Sequence, residues 1–257
     1  MNCKRKRAPA VRLVVTAAGL LATYPMAIAA DVSDARISTE GPSGENWFLN
    51  GGNFAGQHYS PLDQIDGDNI ATLGLAWATV VDAADGIAGT PIVVDDVIYL
   101  SAAYSIVYAL DASSGRQIWR FDPQLRARLF ANPDMSWTAR ANRGVAVYAG
   151  KVFVATADCM LLAIDASRGK EVWSVETCDT DLGYAVTDAP RVGGGKVFIG
   201  NAGSESGQKN RGYVSAYNAD DGELLWRFYT VPSSDHAENT SAAIRFYVLQ
   251  QARLLKE

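Results

Sequence analysis

From about residue 90 onward, short runs of alternating apolar and polar residues recur, and turn-forming residues such as Gly, Asp, Asn and Ser separate most of them. Alternation with a period of two predicts half-buried strands joined by tight turns. The runs fall into three groups of four. The predicted strands are residues 90–94, 97–102, 105–110 and 116–120, then 144–148, 151–156, 160–164 and 171–175, and then 190–192, 196–200, 213–217 and 223–228.

Each group carries the same spaced frame, Ala-x-Asp/Asn-x-x-x-Gly-x-x-x-Trp. The three copies end at Trp119, Trp173 and Trp226, which follow one another after 54 and 53 residues. A fixed period of this length with β-rich segments predicts propeller blades rather than a helical solenoid. We expect the Asp or Asn to accept backbone hydrogen bonds, the Gly to take a positive φ, and the Trp to lie flat against the next blade. The predicted class is all-β, with three to four blades of a partial propeller.

Two terminal stretches do not fit this pattern. Residues 1–30 combine a basic start, an apolar run from Leu13 to about Tyr24 and the small-residue exit Ala27-Ile28-Ala29, which is typical of a secretory signal peptide. We expect cleavage after Ala29 or Ala30 and export to the periplasm without membrane insertion; an uncleaved anchor is the alternative. Residues 31–232 form the predicted partial propeller, which begins with an entry segment that ends in a strand at residues 73–81. Residues 233–257 lose the alternation and read as a helical or disordered tail.

The net charge of the mature chain narrows the class of its possible partners. Removing the five basic residues of the leader leaves 18 Lys and Arg against 28 Asp and Glu, a net charge of about −10. A strongly acidic chain repels nucleic acid and anionic membranes, so we expect neither as a partner.

In an oxidising compartment Cys159 and Cys178 are able to pair, although their spacing does not establish that they do.

Several longer motifs carry a family resemblance. They are Trp47…Gly52-Asn53…His58-Tyr59-Ser60-Pro61-Leu62, Leu73-Gly74-Leu75-Ala76-Trp77, Asn142-Arg143-Gly144, Ala189-Pro190-Arg191-Val192 and Arg211-Gly212-Tyr213. In these motifs the chain resembles the amino-terminal part of the quinoprotein alcohol dehydrogenases, over about residues 46–232. That resemblance implies a periplasmic eight-bladed β-propeller that holds pyrroloquinoline quinone (PQQ) and Ca²⁺ or a lanthanide on its axis, oxidises an alcohol and passes electrons to a cytochrome c.

The resemblance implies roles for five residues. Arg143 matches an arginine that binds a cofactor carboxylate, and Thr187 matches a threonine whose hydroxyl faces the same cofactor. Gly203 and Ser204 match a strand end where the backbone passes close to the quinone, and Glu205 matches a metal ligand. A guanidinium suits bidentate carboxylate recognition, and a carboxylate suits a hard cation. Without the resemblance, Arg143 reads as a surface turn residue and Glu205 as a solvated loop residue.

The chain also departs from the family pattern. Trp137-Thr138 stands where members carry adjacent cysteines, so Trp137 is a candidate to stack on the quinone instead, and Ala88 stands where many have a glutamate that contacts the cofactor. The catalytic aspartate and further metal ligands of the family belong to later blades, so no catalytic residue is assigned. We therefore expect a truncated chain without activity of its own. The alternative is a non-catalytic periplasmic propeller that binds other proteins, like the outer-membrane assembly lipoproteins.

Overall fold

The computed structural model describes residues 30–83, 85–129, 138–203 and 210–233. Their regular structure is mostly antiparallel sheet, as the sequence predicts, in three four-stranded sheets whose strands pair in chain order. Blade A contains β1 (Ile92–Val94), β2 (Val97–Ser101), β3 (Val107–Asp111) and β4 (Gln117–Phe121); blade B contains β5 (Ala146–Tyr148), β6 (Lys151–Ala155), β7 (Met160–Asp165) and β8 (Glu171–Glu176); blade C contains β9 (Arg191–Gly193), β10 (Lys196–Gly200), β11 (Tyr213–Asn218) and β12 (Leu224–Tyr229).

Helices are short in the described part of the chain. They comprise α1 (Asp34–Thr39), α2 (Leu125–Leu129) and the 3₁₀ turns Gly41–Ser43, Ile70–Thr72, Ala103–Ser105, Thr138–Arg140 and Thr180–Leu182. Among these residues no helix is long and apolar enough to cross a membrane. Residues 1–29 and 234–257, and with them most of the predicted signal peptide and tail, lie outside the described ranges.

The repeated alanine has a packing role inside each blade. Strand register places Ala109 opposite Tyr99 on one side and Trp119 on the other, so the three side chains share one face of the sheet. Because alanine is small, the two aromatic rings meet across it, with centroids 5.9 Å apart. The same arrangement recurs in the other blades, with centroid distances of 5.7 Å for Phe153–Trp173 and 5.9 Å for Phe198–Trp226.

The frame's polar residue and glycine shape the turn before the outermost strand. Asp111 Oδ1 accepts the backbone N–H of Ser114 at 2.9 Å. Hydrogen bonds from the Ser113 and Ser114 hydroxyls lower the pKa of Asp111 to about 2. The Arg168 amide donates to Asp165 in the same way, and Asn218 accepts from the Asp220 amide, two residues further on. The glycines that follow have φ angles of 70°, 63° and 80° at Gly115, Gly169 and Gly222, as predicted.

The tryptophans then join one blade to the next. Trp119 of blade A packs on Gly169 of blade B so closely that a Cβ there would lie 2.6 Å from the ring, and its Nε1 donates to the carbonyl of Ala166 at 2.8 Å. Trp173 of blade B packs on Gly222 of blade C in the same way and donates to the Ala219 carbonyl at 3.4 Å. The predicted docking of these two rings is confirmed.

Trp77 in the entry segment follows the same docking rule. Its ring packs on Gly115 of blade A, and its Nε1 donates to the carbonyl of Ala112 at 2.9 Å. The strand predicted at residues 73–81 is wrong, because this stretch forms no ladder with any described strand. An extended segment needs a neighbouring backbone to become a strand, whereas the tryptophan docks through its own side chain.

Residues near the start of the described chain cross all three blades. The turn residues Ala149 and Gly150 of blade B donate their amides to the carbonyls of Val32 and Ala30 at 2.8 and 3.0 Å. Asp34 accepts from the Gly194 amide of blade C at 2.9 Å. Further contacts, Arg36–Asp95 and Trp47–Val93, reach blade A. This stretch therefore contacts all three blades near the carboxyl ends of their first strands β1, β5 and β9, which we call the innermost strands.

A disulfide joins Cys159 to Cys178 in the structure. Both cysteines are buried, and the bond links the β6–β7 turn to the segment that leaves β8. The sequence left this pairing open. The bond closes a loop between two parts of blade B and therefore restricts the unfolded chain.

Candidate functional site

The candidate site lies where the chain enters the innermost strands, at the end opposite the 149–150 turn. Thr90 and Gly144 form an isolated parallel bridge between the segments that lead into blades A and B. The backbone carbonyl of Arg143 accepts from the Thr90 amide at 3.1 Å, and the Arg143 amide donates to the Thr187 carbonyl at 3.0 Å. The backbone of Arg143 is thus held by the neighbouring segments on both sides.

Gly144 makes this close approach possible. Its φ of 136° lies in the region that favours glycine, and a Cβ would meet the Thr90 carbonyl oxygen at 3.1 Å and the Ala189 Cβ at 3.4 Å. A larger residue would push the three inner segments apart. The turn can therefore present the Arg143 side chain only because the next residue has none.

Two of the sequence-predicted site residues meet here. The Arg143 guanidinium donates a short hydrogen bond to Thr187 Oγ1 and lies 3.8 Å from the Asp188 carboxylate. Its side chain is 55% exposed, which leaves donors available for a ligand. Arg143 and Thr187 precede the innermost strands of different blades, so the fold brings together residues 44 positions apart in the chain.

An open groove of about 530 Å³ lies beside this pair, and small side chains form part of its lining. Ala88, which stands where the resemblance expects a glutamate, lines the groove together with Ala189. Small lining residues leave room for a flat ring system. The groove therefore combines a cationic end with space for a planar anion.

Sequence reasoning missed a second guanidinium in this groove. Arg191 lines it and is exposed, and its side chain forms no ion pair or hydrogen bond with other described residues, whereas its backbone pairs with Phe198 in the β9–β10 ladder. Its counterparts in the other blades are Ile92 and Ala146, which are buried apolar residues. The replacement of an apolar residue by arginine at one position of the blade repeat is the signal that would have identified it.

The predicted loop site is described only in part. Gly203 has a φ of 128°, and a Cβ there would lie 2.3 Å from the Gly183 carbonyl oxygen. Its neighbour Ala202 pairs with Ala185 through hydrogen bonds of 2.8 and 3.2 Å. Glycine is thus required by close backbone packing. Ser204, Glu205 and Trp137 lie outside the described residues, and the described ranges contain no group of three His, Cys, Asp or Glu side chains suited to a metal.

The side chains present fit one end of PQQ, which is a flat tricarboxylate quinone. Arg143 supplies charge-assisted donors for a carboxylate, Thr187 supplies a hydroxyl, and Arg191 adds a second cation along the same groove. Asp188 offsets part of this positive charge. The arrangement can bind and orient a planar polycarboxylate.

Tryptophan-docked four-stranded blades define a β-propeller, and the cationic groove beside their inner strands suits the polycarboxylate cofactor of a quinoprotein. A family model described as the PQQ glucose/ethanol/alcohol dehydrogenase β-propeller domain matches residues 47–247. This match covers most of the chain. The chain belongs to that family.

Individual relatives agree with this assignment. Quinohemoprotein alcohol dehydrogenase ADH IIB of Pseudomonas putida is 46% identical over 228 residues, which cover 87% of this chain and 32% of the relative. The 1-butanol dehydrogenase (cytochrome c) of Thauera butanivorans is 46% identical, over 70% of this chain and 26% of its own length. The solved structure of ADHIIG from P. putida HK5 superposes with a TM-score of 0.76 and 43% identity, over 84% of this chain and 31% of that one. The chain thus spans about a quarter to a third of the length of these relatives.

Proposed function

We propose that this chain is the amino-terminal part of a PQQ-dependent alcohol dehydrogenase that oxidises a small alcohol and passes the electrons to a cytochrome c. Family membership supports the enzyme class over the protein-binding scaffold. Among its relatives, one is named a quinohemoprotein alcohol dehydrogenase and another a 1-butanol dehydrogenase (cytochrome c). These names are the basis for the proposed substrate class and electron acceptor.

The observation that carries the proposal is the position of Arg143, whose backbone is fixed by Thr90 and Thr187 and whose guanidinium faces an open groove. In this proposal Arg143 and Thr187 hold one carboxylate of PQQ, Gly203 and Ser204 let the backbone pass close to the ring, and Glu205 ligates Ca²⁺ or a lanthanide. Bound PQQ supplies the ortho-quinone that takes up the two electrons of the alcohol. The residues of this chain bind and orient it.

We also propose that the protein is exported and that this chain holds only part of the catalytic site. The basic and apolar leader supports export to the periplasm. Residues 31–232 are the proposed partial propeller and residues 233–257 the proposed tail, of which the family match still covers residues 233–247. None of the candidate residues in this chain is assigned as the general base that an alcohol oxidation needs. We therefore propose that the chain by itself binds the quinone but does not turn over alcohol.

The test is a titration of the purified, processed chain with PQQ in the presence of Ca²⁺ or a lanthanide. Tryptophan fluorescence is the readout of binding. We expect saturable binding that Arg143→Ala weakens by about tenfold to hundredfold, since a hydrogen bond to a charged group contributes about 1.5–3 kcal/mol. Arg168→Ala is the control, because Arg168 is exposed and pairs with Asp165 in the β7–β8 turn.

Activity is measured in the same samples by dye reduction with ethanol and 1-butanol. The proposal predicts no alcohol-dependent rate above that of free PQQ. Binding that is equally strong in wild type and in Arg143→Ala would contradict the assigned role of Arg143. Metal-dependent turnover by the chain alone would contradict the proposed incompleteness of the site.

A further inference from the structure

The residue before Arg143 is a buried amide with every hydrogen-bonding group in use. Asn142 is 1% exposed. Its Oδ1 accepts the Ser101 hydroxyl at 2.5 Å and the Gly144 amide at 3.1 Å, while its Nδ2 donates to Ser105 Oγ at 2.9 Å and to the Ala155 carbonyl at 2.8 Å. A buried amide in which both donors and both acceptor positions are paired fixes its surroundings, because every alternative geometry leaves polar atoms unsatisfied.

The four partners of Asn142 belong to different parts of the fold. Ser101 ends β2 and Ser105 lies in the β2–β3 connection of blade A, whereas Ala155 ends β6 of blade B. Ser101 and Ser105 are themselves buried, and Ser105 has a φ of 57°, an uncommon conformation for a residue other than glycine. The amide therefore connects two blades at the level where their inner segments meet.

The fourth bond closes the turn around Arg143. The Gly144 amide donates back to Asn142 Oδ1, so the residues on either side of Arg143 are joined to each other as well as to the core. With Asn142 buried and Gly144 lacking a side chain, only the Arg143 side chain of this turn can reach the groove. Its direction is set by the two residues that flank it.

We infer that Asn142 is a positioning residue for the anion-binding guanidinium: it acts through Arg143 by holding the 142–144 turn in the one conformation that directs Arg143 towards Thr187 and the groove. The inference rests on the proposed function, in which Arg143 binds a carboxylate of PQQ. It differs from a general stabilising role, because the effect of Asn142 on ligand binding should exist only while Arg143 is present. That dependence can be measured.

The experiment is a double-mutant cycle on the processed chain with PQQ as the probe. We expect Asn142→Ala and Arg143→Ala each to weaken PQQ binding about tenfold or more, and the double variant to bind no more weakly than Arg143→Ala alone. Ser215→Ala is the matched control, because Ser215 is also 1% exposed and accepts a hydrogen bond from Arg227, but its hydroxyl is not a partner of Asn142 and does not line the groove. We expect this control to bind PQQ like wild type.

Two results would overturn the inference: wild-type affinity in Asn142→Ala, or effects of Asn142→Ala and Arg143→Ala that add in full. If Asn142→Ala does not fold, Ser101→Ala removes one bond of the network and takes its place in the cycle, with a smaller expected loss of affinity.

Hydrogen exchange of the Gly144 amide tests the inference independently of the proposed function. If PQQ does not bind, or if Arg143→Ala leaves binding unchanged, the proposed role of Arg143 is wrong. The exchange rate still shows whether Asn142 holds the 142–144 turn. We expect that exchange to be at least roughly tenfold faster in Asn142→Ala than in Ser215→Ala, since the amide loses its acceptor. Equal exchange rates in the two variants would show that Asn142 does not hold the turn.

Discussion

Blades A and C have the same internal construction but different surroundings. The aromatic pair of each blade has the same centroid distance, 5.9 Å, yet Trp119 of blade A is 8% exposed and Trp226 of blade C is 43% exposed. Trp119 is covered by the Gly169 turn of blade B, whereas no other described blade follows blade C. The repeat therefore encodes two separate contacts, one within a blade and one between blades.

The open face of blade C also differs in its chemistry. Leu224, Leu225 and Trp226 of β12 are exposed, which leaves apolar side chains in contact with water. At the inner edge of the same face, Arg191 replaces the buried Ile92 and Ala146 of the other blades. At the interfaces between described blades the tryptophan rings lie on the next blade and Ile92 and Ala146 are buried, whereas this face combines an exposed apolar outer part with a cationic inner part.

The largest expected effect separates the two tryptophans. Trp119→Ala should reduce the free energy of unfolding by about 3–5 kcal/mol, because it removes a buried ring and its hydrogen bond to Ala166. Trp226→Ala should reduce it by about 1 kcal/mol, because the ring is half exposed. Urea unfolding of the processed chain measures both. Equal losses at the two sites would mean that covering by the next blade contributes nothing.

A smaller effect is expected at the glycine on which Trp119 rests. Gly169→Ala places a Cβ 2.6 Å from the Trp119 ring and should destabilise the chain by about 1–3 kcal/mol more than Gly150→Ala. Gly150 is the matched control, since its φ of 71° resembles the 63° of Gly169 but no atom lies within 4 Å of a Cβ there. A similar loss of unfolding free energy in both variants would show that backbone strain, and not the contact with the Trp119 ring, causes the destabilisation.

Much of the fold could be predicted because its signals are local. Nearly all strand boundaries agree within two residues, and the Asp or Asn and the Gly of the frame have the predicted roles, as do Trp119 and Trp173. Trp77 was not assigned to the repeat because Gly67 and Leu73 stand at the frame's alanine and glycine positions ahead of it. Its docking shows that the tryptophan can pack on a following blade without the alanine and the glycine of the frame.

The site could be predicted only where a motif carried it. Arg143 and Thr187 came from the family resemblance, and the structure brings them together. Asn142 and Arg191 lie within the same motifs. Arg191 differs from the apolar residues at its repeat position, which is a signal in the sequence, whereas the importance of Asn142 depends on burial and on partners far away in the chain. Asn142 contacts Ser101, which lies 41 residues earlier, and no local pattern reveals such a bond.

Docking of each tryptophan on the following blade should stabilise the blade that carries the tryptophan. Native-state hydrogen exchange of the processed chain, measured for each strand, tests this most directly. We therefore predict that amides of β3 and β4 in blade A exchange at least roughly tenfold more slowly than the equivalent amides of β11 and β12 in blade C. Equal protection in the two blades would contradict the claim and show that each sheet is stabilised by its internal contacts alone.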